Sequence, residues 1–222
     1  MKLHLLAASL ALAAGASQAN VLDFGQSGAP MLCSSTSDGL GAATACANFG
    51  YFLQSYGDVA GVLDVTYSAP RINDGRSLRW WSDSYNDLYG VLWADSGDAD
   101  SRARIELKPL DGKTVTLTHF DFGAYPNSTR DTTINVFAIG NAVPLFTYSG
   151  PVGAGLTHNG FDINVSSTTG LWLEWQDSAY NVGIDNVTFT LNDVGAVPEP
   201  STYALLLAGL AACGAVARRR RR

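Results

Sequence analysis

In Arg102-Ala103-Arg104-Ile105-Glu106-Leu107-Lys108 the apolar residues Ala103, Ile105 and Leu107 alternate with Arg102, Arg104, Glu106 and Lys108. A β-strand turns successive side chains to opposite faces, so this segment reads as a strand with one face in a core and the other in water. The same period of two recurs at Leu63, Val65 and Tyr67, at Ile134, Val136 and Ala138, and at Val187, Phe189 and Leu191. It recurs again at Leu171, Leu173 and Trp175, which leaves Trp172 and Glu174 on the opposite face. Turn steps punctuate these runs: Asp38-Gly39, Asp74-Gly75, Asp111-Gly112 and Asn159-Gly160. The nearest approach to a helical stripe, Ala42 to Leu53, is interrupted by Gly50. About ten short strands at this spacing predict an all-β domain, two antiparallel sheets packed face to face as a sandwich of jelly-roll type. One run breaks its own parity. Val115 and Leu117 share a face, but Phe120 and Phe122 fall on the other, so a bulge is expected near Thr118-His119.

Outside this core the two ends of the chain read as address signals. Met1-Lys2 is a short basic start, Leu3 to Ala14 is apolar, and Ser17-Gln18-Ala19 has the small-x-small form of a cleavage site. Residues 1–19 therefore read as a secretory signal peptide, cut before Asn20 by signal peptidase. At the other end Pro198-Glu199-Pro200 precedes an uncharged run from Ser201 to Ala217, and Arg218, Arg219, Arg220, Arg221 and Arg222 follow. Seventeen residues make roughly 25 Å of helix, just enough to cross a hydrocarbon core. The arginines would hold their end in the cytoplasm. No internal repeat is visible, so residues 20–196 read as one domain.

The segment from 197 to 222 resembles the PEP-CTERM sorting signal: a Pro-Glu-Pro motif, a short transmembrane helix and a terminal arginine cluster, in that order. The resemblance implies processing by an exosortase, a membrane protease/transpeptidase of Gram-negative bacteria that make exopolysaccharide. It further implies export through the inner membrane to the cell surface or biofilm matrix. Leu171-Trp172-Leu173-Glu174-Trp175 and Asn181 to Phe189 are similar to the closing strands of domains that often precede such tails, and imply a galactose-binding-like jelly roll.

Between its two processed ends the domain carries eight basic and nineteen acidic residues, a net charge of −11. Such a surface repels nucleic acid and anionic lipid. Cys33 and Cys46 lie in an exported Gly/Ser/Ala-rich stretch and read as a disulfide; two cysteines are too few for a structural zinc.

The catalytic search is thin. His119 and His158 are the only histidines after residue 19, and Glu106 and Glu174 the only glutamates between the processed ends. No Gly-x-Ser-x-Gly, His-Glu-x-x-His or phosphate loop is present. No catalytic residue or cofactor is expected. Asp95, Asp98 and Asp100 surround Gly97 and could offer hard oxygen ligands to Ca²⁺; an exposed acidic turn explains them equally well. Trp80, Trp81, Tyr85, Tyr89 and Trp93 crowd one region with Asp83, Asn86 and Asp87. Aromatic faces stack on sugar rings while Asn and Asp bond hydroxyls, so Trp80, Trp81, Tyr85 and Trp93 are candidate glycan contacts, with Tyr180 as a further one. Core packing is the alternative for each ring. The expected protein is a non-catalytic structural or exopolysaccharide-binding component of the surface; the alternative is a secreted enzyme acting on polysaccharide.

Overall fold

The computed structural model describes residues 19–25, 30–70, 75–95, 97, 101–110 and 112–193. The expected signal peptide up to Gln18 and the sorting segment 197–222 lie outside the described residues. Fourteen strands follow in chain order. They are β1 (Ala19–Leu22), β2 (Leu32–Ser34), β3 (Ala43–Ala45), β4 (Gly50–Phe52), β5 (Leu63–Ser68), β6 (Arg79–Trp81) and β7 (Val91–Trp93). Then come β8 (Arg102–Pro109), β9 (Lys113–Ala124), β10 (Arg130–Ala138), β11 (Pro144–Val152), β12 (Asn159–Ser167), β13 (Leu171–Gln176) and β14 (Val182–Asp193). Among the described residues there is no α-helix, only a 3₁₀ turn at Ala154–Leu156.

The strands form two antiparallel sheets. One runs β12-β9-β14-β7-β6-β4-β2-β3, with β1 also paired to β14; the other runs β11-β10-β13-β8-β5. Each sheet turns its apolar parity inward. On β8, Ala103, Ile105 and Leu107 are buried while Arg102, Arg104 and Glu106, which alternate with them, are half-exposed. Rings from the two sheets meet in the core: Tyr67 lies 5.0 Å from Phe52, and Trp175 lies 5.3 Å from Phe122, both nearly edge-on. Burying one such side chain contributes about 1.5–3 kcal/mol.

The expected bulge is present. Leu117 pairs with Phe189 and His119 with Thr188, so Thr118 is an extra residue on β9. That insertion lets Val115, Leu117, Phe120 and Phe122 all point into the core, each fully buried. A disulfide joins Cys33 to Cys46 with Cα atoms 4.8 Å apart. Closing a loop between residues 13 apart in sequence stabilises the fold by about 3 kcal/mol through the unfolded state. Edge strand β5 is capped by a side chain. The Gln54 amide donates to the Tyr67 carbonyl at 2.6 Å and accepts from the Tyr67 N–H at 2.9 Å. It stands where a neighbouring strand would, and so blunts an edge that could pair with another chain.

β1 runs antiparallel to β14, with Ala19 opposite Thr190 and Leu22 opposite Val187. The chain therefore enters the sandwich beside the place where it leaves after Asp193. The other end of β14, Val182, pairs with Ala124 of β9. Twelve residues of strand separate the two poles by roughly 36 Å.

Candidate functional site

Adjacent residues of a strand face opposite ways, and β6 and β7 use this to serve two clusters. Trp80 and Leu92 point into the sandwich core, where the Trp80 indole donates to the Phe24 carbonyl at 2.8 Å. Trp80 is thus a core residue, 3% exposed. On the opposite face of the sheet Trp81, Val91 and Trp93 found a second cluster with Tyr85, Leu88, Tyr125 and Tyr180; the glycan candidates Trp93 and Tyr85 are buried in it, 2% and 3% exposed, while Trp81 is half-buried. In that cluster is a pocket of about 130 Å³ lined by Phe49, Trp81, Tyr85, Trp93, Tyr125, Tyr180 and Asn181. It sits at the Val182 pole, since Tyr125 follows β9 and Tyr180-Asn181 precede β14; the Tyr125 N–H donates to the Asn181 carbonyl at 2.8 Å.

The rings meet at steep angles. Trp81 lies 4.7 Å from Phe49 at 90°, 5.5 Å from Tyr125 at 71° and 6.5 Å from Trp93 at 76°. Trp93 lies 5.0 Å from Tyr180 at 85° and 5.8 Å from Phe49 at 76°. Among the described residues the lining carries no carboxylate, imidazole or cationic side chain. Its polar handles are the Asn181 carboxamide and the tyrosine hydroxyls. The indole N–H groups of Trp81 and Trp93 are buried and have no acceptor among the described residues. Tyr89, by contrast, is 72% exposed and lies outside the lining.

The loop carrying Tyr85 is held from three sides. Asn86 accepts from the Ala124 N–H at 2.6 Å and donates to the Ser128 carbonyl at 3.1 Å. The Asn127 N–H donates to the Ser84 carbonyl, and the Tyr85 hydroxyl to the Tyr180 carbonyl. Asp87 accepts from the His158 N–H at 2.7 Å. Underneath, Gly123 and Gly183 face each other across β9 and β14. A Cβ on Gly123 would strike the Tyr85 carbonyl, and one on Gly183 would come within 2.6 Å of Val91. Positive φ values concentrate around the pocket: Phe49, Ser84, Asn86, Asn127 and Asp177 all take them. Such conformations cost of order 1–3 kcal/mol each and gather where a structure holds side chains for a purpose.

Sequence reasoning missed Phe49, Tyr125 and Asn181 because they come from segments far apart in the chain. The signal available was Gly123 and Gly183, glycines inside apolar strands, which mark close backbone approach.

The other expected sites resolve differently. Asp95 receives the Arg79 guanidinium, Nε at 2.6 Å and Nη2 at 2.5 Å. Asp98 and Asp100 lie outside the described residues. Among the described residues no group of three or more His, Cys, Asp or Glu is placed to hold a metal ion. Glu106 and Glu174 lie on the outer face of the five-stranded sheet, each held by neighbours. The Arg104 guanidinium binds Glu174 at 2.7 Å and stacks 4.2 Å over Trp172, whose indole donates to Glu106 at 2.6 Å.

A polar network fills the bulged part of β9 and β14. His119 bridges Asp162 at 2.7 Å and Asp121 at 3.0 Å. Burial works to lower its pKa, but the Asp162 hydrogen bond and the Asp121 charge outweigh this and raise it. Asp185 is buried, and burial pushes its carboxyl up to about 7, although the N–H groups of Phe24 and Asn186 donate to it.

Among solved structures, one described as "CBM4 structure and function" is similar at 13% identity and TM-score 0.33, over 58% of this chain and 87% of that one. An exo-β-1,3-galactanase from Phanerochaete chrysosporium is similar in two structures. With galactose the identity is 8% and the TM-score 0.31, over 68% of this chain and 30% of that one. With β-1,3-galactotriose they are 12% and 0.32, over 68% and 34%. The present chain spans about a third of the galactanase's length. All three superpose too loosely to bear on function. No curated protein matches the sequence. Residues 196–222 match the PEP-CTERM protein-sorting motif. The chain thus carries a C-terminal exosortase sorting signal, which directs a protein to export and the cell surface of a Gram-negative bacterium.

Proposed function

We propose that the protein, cut by signal peptidase and handled by exosortase through its membrane-spanning tail, is a non-catalytic exopolysaccharide-binding component of the cell surface or matrix. The observation that carries this reading is the aromatic pocket at the Val182 pole. Ring faces beside a few polar groups are what sugar recognition uses: C–H faces stack on the rings while amides and hydroxyls meet the sugar's own hydroxyls. Hydrolysis of a glycosidic bond ordinarily takes a pair of carboxylates across the bond, and among the described residues none lines the pocket, which favours binding over cleavage there. The jelly-roll type suggested by the closing strands belongs to the same reading.

The test is co-sedimentation of the exported protein with the host's own exopolysaccharide, wild type against Trp81→Ala. Saturable capture by the wild type, weakened at least tenfold (about 1.4 kcal/mol) in the variant, is expected. Capture that ignores Trp81 would remove the pocket from the account.

A further inference from the structure

We infer that the pocket takes one neutral sugar ring joined to its glycan at a single point, a chain end or a one-residue branch. This rests on the glycan-binding reading above. Size is the first ground. An apolar cavity of about 150 Å³ accommodates one benzene ring, so a pocket of about 130 Å³ takes in at most one six-membered ring, with the rest of the glycan outside it. The layout of the walls is the second. The walls come from five separate stretches of chain, at Phe49, Trp81 to Tyr85, Trp93, Tyr125 and Tyr180-Asn181. Their rings stand at 71° to 90° to one another around Trp81 and Trp93. A groove for a continuous chain would instead set its rings in a row along one direction.

Charge is the third ground. A uronate placed among these rings would give up its hydration and find no cationic partner, because none lines the pocket among the described residues. The domain's net charge of −11 adds repulsion against acidic sugars. A neutral ring, by contrast, brings no charge to be stripped of water. Asn181, one of the lining residues, offers a carboxamide donor and acceptor to its hydroxyls.

The experiment titrates the exported protein, followed by tryptophan fluorescence, with fragments released from the host's exopolysaccharide by partial acid hydrolysis and sorted by length and charge. Neutral fragments are expected to saturate the protein with a Kd per chain constant within about threefold from disaccharide to hexasaccharide, and weakened at least tenfold in Trp81→Ala and in Asn181→Ala. The Asn181 substitution guards against a Trp81 variant that fails to fold. A Kd that drops tenfold or more along the ladder would overturn single-ring capture while leaving glycan binding in place. Equal affinity for uronate-ended fragments would overturn the charge argument. No saturation by any fragment, with the wild type folded, would sink the glycan reading itself. Intact polymer gives the last arm: capacity that rises as hydrolysis adds ends assigns the ring to chain ends, and capacity lost on debranching assigns it to branches.

Discussion

Gly123→Ala perturbs the pocket from beneath, through the main chain of Tyr85, without replacing a lining residue. Gly123 has an ordinary strand conformation, so the substitution carries no backbone strain of its own. The added methyl would, however, strike the Tyr85 carbonyl oxygen, lie 2.9 Å from its carbon and 3.1 Å from Leu88 Cδ1. A main-chain carbonyl cannot swing away as a side-chain tip can. The loop from Ser82 to Gly90 has to lift by roughly 1 Å to restore ordinary contact. Overpacking of this kind costs about 1–3 kcal/mol. Lifting also lengthens the 2.6 Å bond from the Ala124 N–H to Asn86 and the 3.1 Å bond from Asn86 to Ser128, about 1 kcal/mol each if lost. Removing a strand glycine returns roughly 0.5–1 kcal/mol. The net is about 1–4 kcal/mol, or roughly 3–12 °C in Tm for a domain of this size. Because Tyr85 shifts, glycan affinity falls with it. Gly140→Ala is the control. Its Cβ meets open space, its φ is +86°, and it lies far from the pocket in sequence and fold. It is expected to lower Tm by a similar step while leaving binding intact. A Gly123→Ala protein with wild-type Tm and wild-type binding would refute the claim that the glycine pair is the floor of the pocket.

Four further outcomes are expected. Asp185 has a folded pKa of about 7, above its ordinary 3.8, so the folded state holds a proton that the unfolded chain releases. Stability should decline as pH rises from about 4 to 7, by up to about 4 kcal/mol. Asp185→Asn should flatten that slope in urea titrations; parallel curves for the two proteins would exclude burial of this carboxyl as the cause. His119, whose pKa is also raised, adds stability present below its ordinary value and lost as pH climbs through the folded one. Gln54→Ala removes both bonds to Tyr67, which should cost about 1–3 kcal/mol and expose the β5 edge; unchanged denaturation midpoint and unchanged light scattering would contradict the capping role. Finally, the entry strand and the exit after Asp193 share one pole. In cells whose tail is still in the membrane, a cysteine at Asp177, on the loop leading to Tyr180, should react with bulky impermeant maleimides faster than one at Asn192. Equal rates would argue against a pocket directed away from the membrane.

Much of the sandwich is written in local pattern. β5, β8, β10, β13 and the distal half of β14 alternate cleanly, because each has one face in the core and one in water. The β9 bulge is legible as a parity conflict between Leu117 and Phe120, since both must be buried. The three-residue strands β2, β3, β4, β6 and β7 are not legible. They are too short for periodicity, and their pairing is decided by partners elsewhere in the chain. The aromatic crowd at Trp80–Trp93 is visible as composition, but which rings face the core depends on the register of β6. Neighbours on a strand must diverge, so Trp80 and Trp81 could never both line one site. Phe49, Tyr125 and Asn181 reach the pocket only through tertiary folding, and nothing local marks them beyond the two strand glycines beneath.

The most direct measurement is a crystal structure of the exported protein soaked with neutral oligosaccharide from the host's exopolysaccharide. The account predicts one sugar ring seated among Trp81, Trp93 and Tyr180, with the rest of the fragment leaving past Asn181 into solvent. A fragment lying instead across Trp172 and the arginines of the five-stranded sheet, with the pocket empty, would contradict it.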